Sequence, residues 1–160
     1  MAQTEVKTVV VDSAYKITVP AYMEEVKDLV DDPALQMKFL GNPPLLLTVR
    51  AEKRSQINAL DSGFTAEEYY AYIAQRISAK LTGPETSPMR PDSISGYRFL
   101  QGQIHGTFQG TRLVYFVRTI ETKDYCYQLI AWTEEAWLSE SLIGNDIVQM
   151  LNSFTILREP

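Results

Sequence analysis

Two residue types in this sequence could act together in nucleophilic catalysis, a cysteine and a histidine. Cys126 lies in the segment DYCYQLIAWT and is the only cysteine of the chain, and His105 is the only histidine. A thiol nucleophile needs a base about 3 Å away to take its proton. The pair indicates a cysteine hydrolase if the fold brings the side chains together. If it does not, Cys126 is a small buried apolar residue.

The turns around these residues argue against a dyad. Tight polar turns at 109–110 and 122–123 predict three antiparallel strands. In the simplest register, His105 lies opposite a residue of the central strand that is five positions from the partner of Cys126. Five positions correspond to about 17 Å at about 3.4 Å per residue, and the two side chains fall on opposite faces. We therefore predict no catalytic residues and a protein that is not an enzyme.

The register itself can be stated residue by residue. The two turns place His105 opposite Val114 and Cys126 opposite Thr119. Cys126 then shares a face with Val117, whereas His105 shares the other face with Phe116.

An acidic stretch is the other group with recognisable chemistry. It contains Glu24, Glu25, Asp28, Asp31 and Asp32. Calcium loops gather such oxygens around a tight turn that usually contains glycine, and this stretch has neither glycine nor the calcium-loop spacing. A single histidine likewise falls short of the three or four ligands that zinc requires. We predict a solvated acidic edge, no metal site and no cofactor.

Strands and two helical segments must position these residues. Thr65 to Glu68 has the sequence of a capping box, and apolar residues at helical spacing extend the first helix to Leu81. A second helical region is predicted from Glu134 to Leu151, and a loop over the proline-containing segment 84–93. Period-two patterns and turn signals predict strands over 15–19, 35–40, 45–51, 97–108, 111–121, 124–133 and 153–157.

The segment TRLVYFVRTI has apolar residues on both of its alternating faces, which is typical of a strand that is covered on both sides. We therefore predict an α+β fold, a three-layer α/β/α sandwich with a mainly antiparallel sheet and helices on both faces. The 160 residues suit one domain over 1–160, with residues 1–13 either flexible or an edge strand.

Charge and hydropathy exclude several partners. The net charge is −5 and the 15 Lys and Arg are scattered, so we predict no nucleic-acid binding. The longest apolar run, Leu45–Leu47, is far shorter than the roughly 20 residues of a transmembrane helix. The polar start MAQTE is unlike a signal peptide. We expect a periplasmic or extracytoplasmic domain whose signal peptide or lipoprotein anchor is absent from this sequence, with a cytoplasmic protein as the alternative.

The chain resembles the PsbP-like superfamily over about residues 14–157, in the segments YKITVP, VDDPALQMKF, TAEEYYAYIAQRI, GYRFLQG, GTRLVYFVRTI, YCYQLIAWT and IVQMLNSFTI. That superfamily includes the PsbP subunit of photosystem II, a Ran-binding nuclear transport factor, bacterial DcrB-type lipoproteins and chaperones of type VI secretion effectors. The resemblance implies a three-layer sandwich and roles in binding, assembly or chaperoning. The metal-site residues of plant PsbP have no counterpart in this sequence.

Glycines and aromatic residues frame a predicted partner groove. Gly102 and Gly106 lie on one face of a strand, where the lack of a side chain allows close packing or leaves room for a shallow groove. The predicted groove consists of Tyr69, Tyr72, Tyr97, Gly102, Gly106 and Trp137.

The function predicted from these features is non-catalytic docking of a protein or peptide partner. Docking would use a sheet edge or a groove beside the first helix, in a bacterial protein that is a monomer or a homodimer. Two alternatives stay open at this point, a cytoplasmic chaperone for a type VI secretion effector and a hydrolase that uses Cys126.

Overall fold

The computed structural model describes residues 4–29, 35–57, 59–61, 63–94 and 96–159. The helices in these ranges are α1 (Ala66–Ser78) and α2 (Ile143–Asn152), with short 3-10 helices at Arg54–Gln56 and Glu135–Leu138. The strands are β1 (Val6–Val11), β2 (Tyr15–Pro20), β3 (Glu24–Glu25), β4 (Leu35–Phe39), β5 (Leu45–Lys53), β6 (Thr82–Thr86), β7 (Arg90–Ile94), β8 (Tyr97–Phe108), β9 (Thr111–Glu121), β10 (Tyr125–Glu134) and β11 (Thr155–Ile156).

The larger sheet is antiparallel, with the strand order β3-β4-β5-β10-β9-β8-β6. Strand β7 pairs with the first half of β8, and β6 pairs with its second half. The predicted meander of three long strands is therefore present as β8, β9 and β10. A smaller antiparallel sheet has the order β1-β2-β11, with β1 at one edge.

The two sides of the larger sheet are covered differently. On one side, α1 buries Tyr70, Ile73 and Ile77 against residues of β8, β9 and β10. On the other side, α2 and the smaller sheet form the second core with residues such as Ile147 and Leu129. The predicted α+β fold with helices on both faces is confirmed. The small sheet beside α2 was not predicted.

The capping box at the start of α1 has the predicted hydrogen bonds. The Thr65 hydroxyl accepts from the Glu68 amide at 3.1 Å, and the Glu68 carboxylate accepts from the Thr65 amide at 3.1 Å. The helix ends at Ser78 rather than Leu81, because the chain turns into β6 at Thr82.

Three local predictions were wrong. The predicted loop over 84–93 contains most of β6 and β7, and these are peripheral strands, where proline is tolerated because one row of amides needs no partner. The predicted second helical region is not continuous: β10 extends to Glu134, a 3-10 helix spans Glu135–Leu138, and α2 begins only at Ile143. Cys126 lies opposite Glu121 rather than Thr119, because the connection is two residues longer and is closed by a hydrogen bond from the Thr122 amide to the Tyr125 carbonyl.

Candidate binding groove beside the second helix

The structure separates the six residues of the predicted partner groove. Tyr69, Tyr72, Gly102 and Gly106 lie on the α1 side of the larger sheet, and Tyr69 is only 1% exposed. Tyr97 and Trp137 pack instead against the core on the α2 side. The six residues therefore do not line one common groove, because the sheet lies between the two groups.

The two glycines allow α1 and the segment after it to approach the sheet closely. A Cβ atom at Gly102 would collide with the hydroxyl of Tyr70. A Cβ atom at Gly106 would lie 2.8 Å from the Cβ and Cδ1 atoms of Leu81. Of the two interpretations of these glycines, close packing is the one that the contacts support.

We expect Gly106→Ala to lower the free energy of unfolding by about 1–3 kcal/mol, because the Cβ of Leu81 cannot move aside without shifting backbone. Gly63→Ala is the matched control, since no atom of the described residues, its chain neighbours apart, lies within 4 Å of the Cβ that it would add. Urea titration of both variants measures the difference. Equal stability of the two variants would contradict the close approach seen at Gly106.

Cys126 and His105 do not form a catalytic dyad. Cys126 is 0% exposed on the α1 side, and burial and the nearby Glu121 raise the pKa of its thiol to about 12. His105 lies opposite Val114, as predicted, which places it on the other face. From Val114 to Glu121 is seven positions, or about 24 Å along β9. This geometry removes the basis for a Cys126 hydrolase.

His105 instead belongs to a polar cluster at the end of β8. Its Nδ1 atom lies 2.7 Å from the Glu135 carboxylate and its Nε2 atom 3.2 Å from the Gln103 side-chain oxygen. Arg112 Nε donates to the same Glu135 oxygen at 2.9 Å. The hydrogen bond with His105 and the charge of Arg112 lower the pKa of Glu135.

We expect Glu135→Gln to destabilise the protein in a pH-dependent way. A carboxylate whose pKa is lower in the folded state stabilises the fold above its ordinary pKa, and this stabilisation is lost as the pH falls through the folded value. The difference between the free energies of unfolding of the wild type and Glu135→Gln should therefore shrink as the pH falls below the ordinary value of 4.5. Thermal unfolding of both proteins, measured from neutral pH to below pH 4.5, tests this prediction. A difference in stability between them that does not change with pH would contradict the role of Glu135.

The acidic stretch gives no metal site among the residues that the structure describes. Glu24 and Glu25 are exposed at the edge of the larger sheet, and Asp28 lies 3.8 Å from Lys38. Asp31 and Asp32 fall outside the described residues. In the described ranges, no three His, Cys, Asp or Glu side chains are grouped as metal ligands would be.

An open groove of about 600 Å³ lies on the α2 side of the larger sheet. Its floor consists of residues of β8 and β9, one wall is α2, and the other wall is β7 with the segment before it. We refer to it as the α2–β7 groove. Its lining residues are Ser87, Pro88, Arg90, Asp92, Phe99, Gln101, Gly102, Gln103, Phe116, Val117, Arg118, Val148, Leu151 and Asn152.

Arg118 is the unusual residue of the α2–β7 groove, because it is a charged side chain on a central strand and only 3% exposed. Its Nη2 atom donates to the side-chain oxygen of Gln101 at 2.8 Å, and its guanidinium carbon lies 3.9 Å from the centre of the Phe99 ring. Its Nε and Nη1 atoms are buried and have no hydrogen-bond partner among the residues that the structure describes. Burial lowers the pKa of Arg118 to about 10, against an opposing effect of the Asp92 charge.

The rest of the α2–β7 groove is part charged and part apolar. Arg90 and Asp92 are exposed on β7, opposite Gln101 and Phe99 of β8 respectively, so both project on the face that Arg118 occupies. Val148 of α2 is 45% exposed at the groove. Such a combination of apolar surface with a few convergent polar groups is typical of binding sites.

The α2–β7 groove was not predicted from the sequence, although one residue of its lining, Gly102, belongs to the groove that was predicted. The signal of the α2–β7 groove is a charged residue at an inward position of TRLVYFVRTI, between Phe116 and Ile120 on one apolar face. The sequence pattern does not show which helix covers that face or whether another group neutralises the charge. Both depend on contacts between segments that are distant in the sequence.

Among the described residues, no helix combines the length and the apolar character needed to cross a bilayer. No protein-family model matches the sequence. The comparison with curated proteins also finds no match.

Several solved structures are similar to the whole chain. The PsbP protein of the cyanobacterium Synechocystis sp. PCC 6803 has a TM-score of 0.65 at 10% identity, covering 97% of this chain and 94% of that one. LpqN of Mycobacterium tuberculosis has a TM-score of 0.65 at 13% identity, covering 94% and 91%. A protein of unknown function from Pseudomonas aeruginosa, described as a putative regulator, has a TM-score of 0.61 at 15% identity, covering 97% and 98%. The chain therefore has a PsbP-like fold.

Proposed function

We propose that this protein is a non-catalytic binding protein that docks a peptide segment of a partner protein in the α2–β7 groove. The observation that carries the proposal is Arg118, whose buried guanidinium has two nitrogen atoms without an acceptor beside an open groove. Buried polar groups are nearly always hydrogen-bonded, so an exception beside an open groove supports the binding of a ligand there. A ligand would supply the missing acceptors.

The dimensions and lining of the groove support this proposal. Its volume of about 600 Å³ lies within the range of ligand sites, roughly 300–1,000 Å³. Phe116 and Leu151 are buried apolar residues of the lining, whereas Gln103 and Asn152 are less buried amides that can bond to a peptide backbone. An apolar centre with polar residues at the rim is the usual composition of a protein–peptide contact.

The structural relatives support an accessory role. LpqN is described as involved in cell envelope biogenesis, and the Pseudomonas aeruginosa protein as a putative regulator. These descriptions name no reaction.

A peptide array tests the proposal. The full chain is applied to random hexapeptides that are attached through their N-termini, beside the variants Val148→Asp and Leu157→Asp. These two residues have nearly equal exposure, 45% and 46%, but only Val148 lines the groove. We expect a set of bound peptides whose signal falls about tenfold or more in Val148→Asp and is unchanged in Leu157→Asp. Binding that is insensitive to Val148→Asp would contradict docking in the α2–β7 groove.

We extend the proposal to the location of the protein, which we infer to be outside the cytoplasm of a bacterium. The envelope role described for LpqN supports this location. A fusion of alkaline phosphatase to the chain, expressed with its native upstream sequence, is expected to be active, because this reporter folds only in an oxidising compartment. An inactive fusion would instead favour the cytoplasmic chaperone.

A further inference from the structure

We infer that the α2–β7 groove recognises the free C-terminal carboxylate of its peptide and that Arg118 is the anchor for this carboxylate. This inference rests on the proposed function and adds the chemical group that the site selects. It follows from the unfilled hydrogen bonds of Arg118, from the charges around it, and from the apolar residues beside it.

The unfilled hydrogen bonds of Arg118 require an acceptor with several lone pairs. A guanidinium has five N–H bonds, of which the Nε atom carries one and the Nη1 atom two. These three bonds have no acceptor, and the one described partner of the guanidinium is the neutral oxygen of Gln101. A carboxylate offers about four acceptor positions and a full negative charge, and such charge-assisted bonds are roughly twice as strong as neutral ones.

The net charge of the groove favours a singly charged anion. The charged residues of the lining are Arg90, Arg118 and Asp92, which sum to +1 among the described residues. A carboxylate cancels this charge. A phosphate carries about −1.5 to −2 at neutral pH and would leave a negative charge in the groove. No ion pair is found for Arg118 or Arg90 in the described ranges, and the one carboxylate of the lining, Asp92, offsets only one of these two positive charges.

The apolar residues beside Arg118 distinguish a chain end from an acidic side chain. Phe116 is a buried residue on the same face of β9, and Leu151 and the half-exposed Val148 lie across from it on α2. At a C-terminus, the carboxylate and the side chain of the last residue are attached to one Cα atom. An apolar last residue can therefore fill the apolar part while its carboxylate reaches Arg118. An internal Asp or Glu brings only one or two methylene groups.

Binding requires a small rearrangement. The Nε and Nη1 atoms of Arg118 are closed to water in the free protein, so the guanidinium must turn toward the groove to meet a ligand. The bond to Gln101 is the one described hydrogen bond that this movement breaks, and it joins a charge to a neutral oxygen. A carboxylate replaces it with a charged partner.

Matched peptides test the inference. Peptides bound on the array are synthesised in pairs, one with a free C-terminus and one as the C-terminal amide, and their affinities are measured by fluorescence anisotropy. We expect the amide to bind about ten- to a hundredfold more weakly, as the loss of one charge-assisted contact predicts. Arg118→Met should weaken the free-acid peptide by a similar factor and leave the amide nearly unchanged, because both changes remove the same interaction.

Arg98→Met is the control for loss of positive charge, because Arg98 is exposed on β8 and lies at the α1 side, 3.4 Å from Glu67. It should bind both peptides as the wild type does.

Equal affinity for the free-acid and the amide peptide, with the binding of both lost in Val148→Asp, would overturn the carboxylate inference and leave the proposed function intact. Amides that bind well only when they contain an internal Glu would overturn the C-terminal source. Absence of any binding sensitive to Val148→Asp would overturn the proposed function itself.

Discussion

Arg118→Met is expected to raise the free energy of unfolding by about 1–4 kcal/mol, although it removes a charged residue from the proposed binding groove. A buried charge without a full set of partners costs more in desolvation than its one hydrogen bond returns. Methionine fills a similar volume and leaves no N–H group without an acceptor. The Phe99 ring that Arg118 covers also packs well against a thioether.

Arg54→Met is the comparison, because Arg54 is a partly buried arginine that, unlike Arg118, has a carboxylate partner. It forms an ion pair with Glu121 at 2.6 Å, donates to the Phe64 carbonyl and stacks on the Phe64 ring. We expect its loss to lower the free energy of unfolding by about 1–3 kcal/mol. Urea titrations of the two variants at one pH and temperature provide the comparison. Destabilisation of Arg118→Met by as much as Arg54→Met would show that Arg118 has partners in the free protein and would remove the main support for the groove.

A substitution that stabilises the fold and weakens binding of the free-acid peptide has a simple physical basis. An arginine at this position is unfavourable in the free protein, and a ligand that neutralises it recovers part of the desolvation cost on binding. The same residue therefore opposes folding and favours recognition. The opposite signs of the two effects separate this interpretation from a purely structural role, in which stability and binding would decline together.

The parts of the fold that the sequence could predict are those set by short-range patterns. The capping box at Thr65 and the hairpin between β8 and β9 depend on residues within a few positions of one another. The connection after Glu121 was predicted two residues too short. In the structure, the side chain and backbone of Thr122 form hydrogen bonds with Tyr125. The pattern of apolar residues does not indicate these bonds. Because the register error was an even number of residues, Cys126 lies on its predicted face of the sheet.

The parts that could not be predicted depend on which segments become neighbours. Pro84 and Pro91 indicated a loop, yet their segments lie beside β8 at the periphery of the sheet, where a missing amide has no cost. The four aromatic residues of the predicted groove are amphipathic, but this character and the alternation along a strand do not tell which helix lies on which face. Arg118 was visible as a charge among apolar residues, but its missing partners were not, because they are defined by the positions of Gln101 and α2.

Tyr127 joins the smaller sheet to the larger one, and its replacement is expected to have the largest effect on stability. It is 0% exposed on β10, and its ring makes edge contacts with Tyr15 of β2 and Phe154 after α2, with ring centres 6.4 Å and 5.6 Å away. Tyr15 and Phe154 also contact each other at 5.3 Å. These three rings connect β2, β10 and the end of α2, which are distant in the sequence.

We expect Tyr127→Ala to lower the free energy of unfolding by about 3–5 kcal/mol, as for other buried aromatic residues, because it leaves a cavity between the two sheets. Tyr127→Phe should be neutral or stabilising by up to about 1 kcal/mol, since the buried Tyr127 hydroxyl has no hydrogen-bond partner in the described part of the chain and its removal breaks no bond there. Urea titration of the pair measures both effects. A loss of more than about 1 kcal/mol in Tyr127→Phe would show that the hydroxyl is bonded. A small loss in Tyr127→Ala would mean that the smaller sheet is held by other contacts, because the cavity term depends on how well the site can collapse.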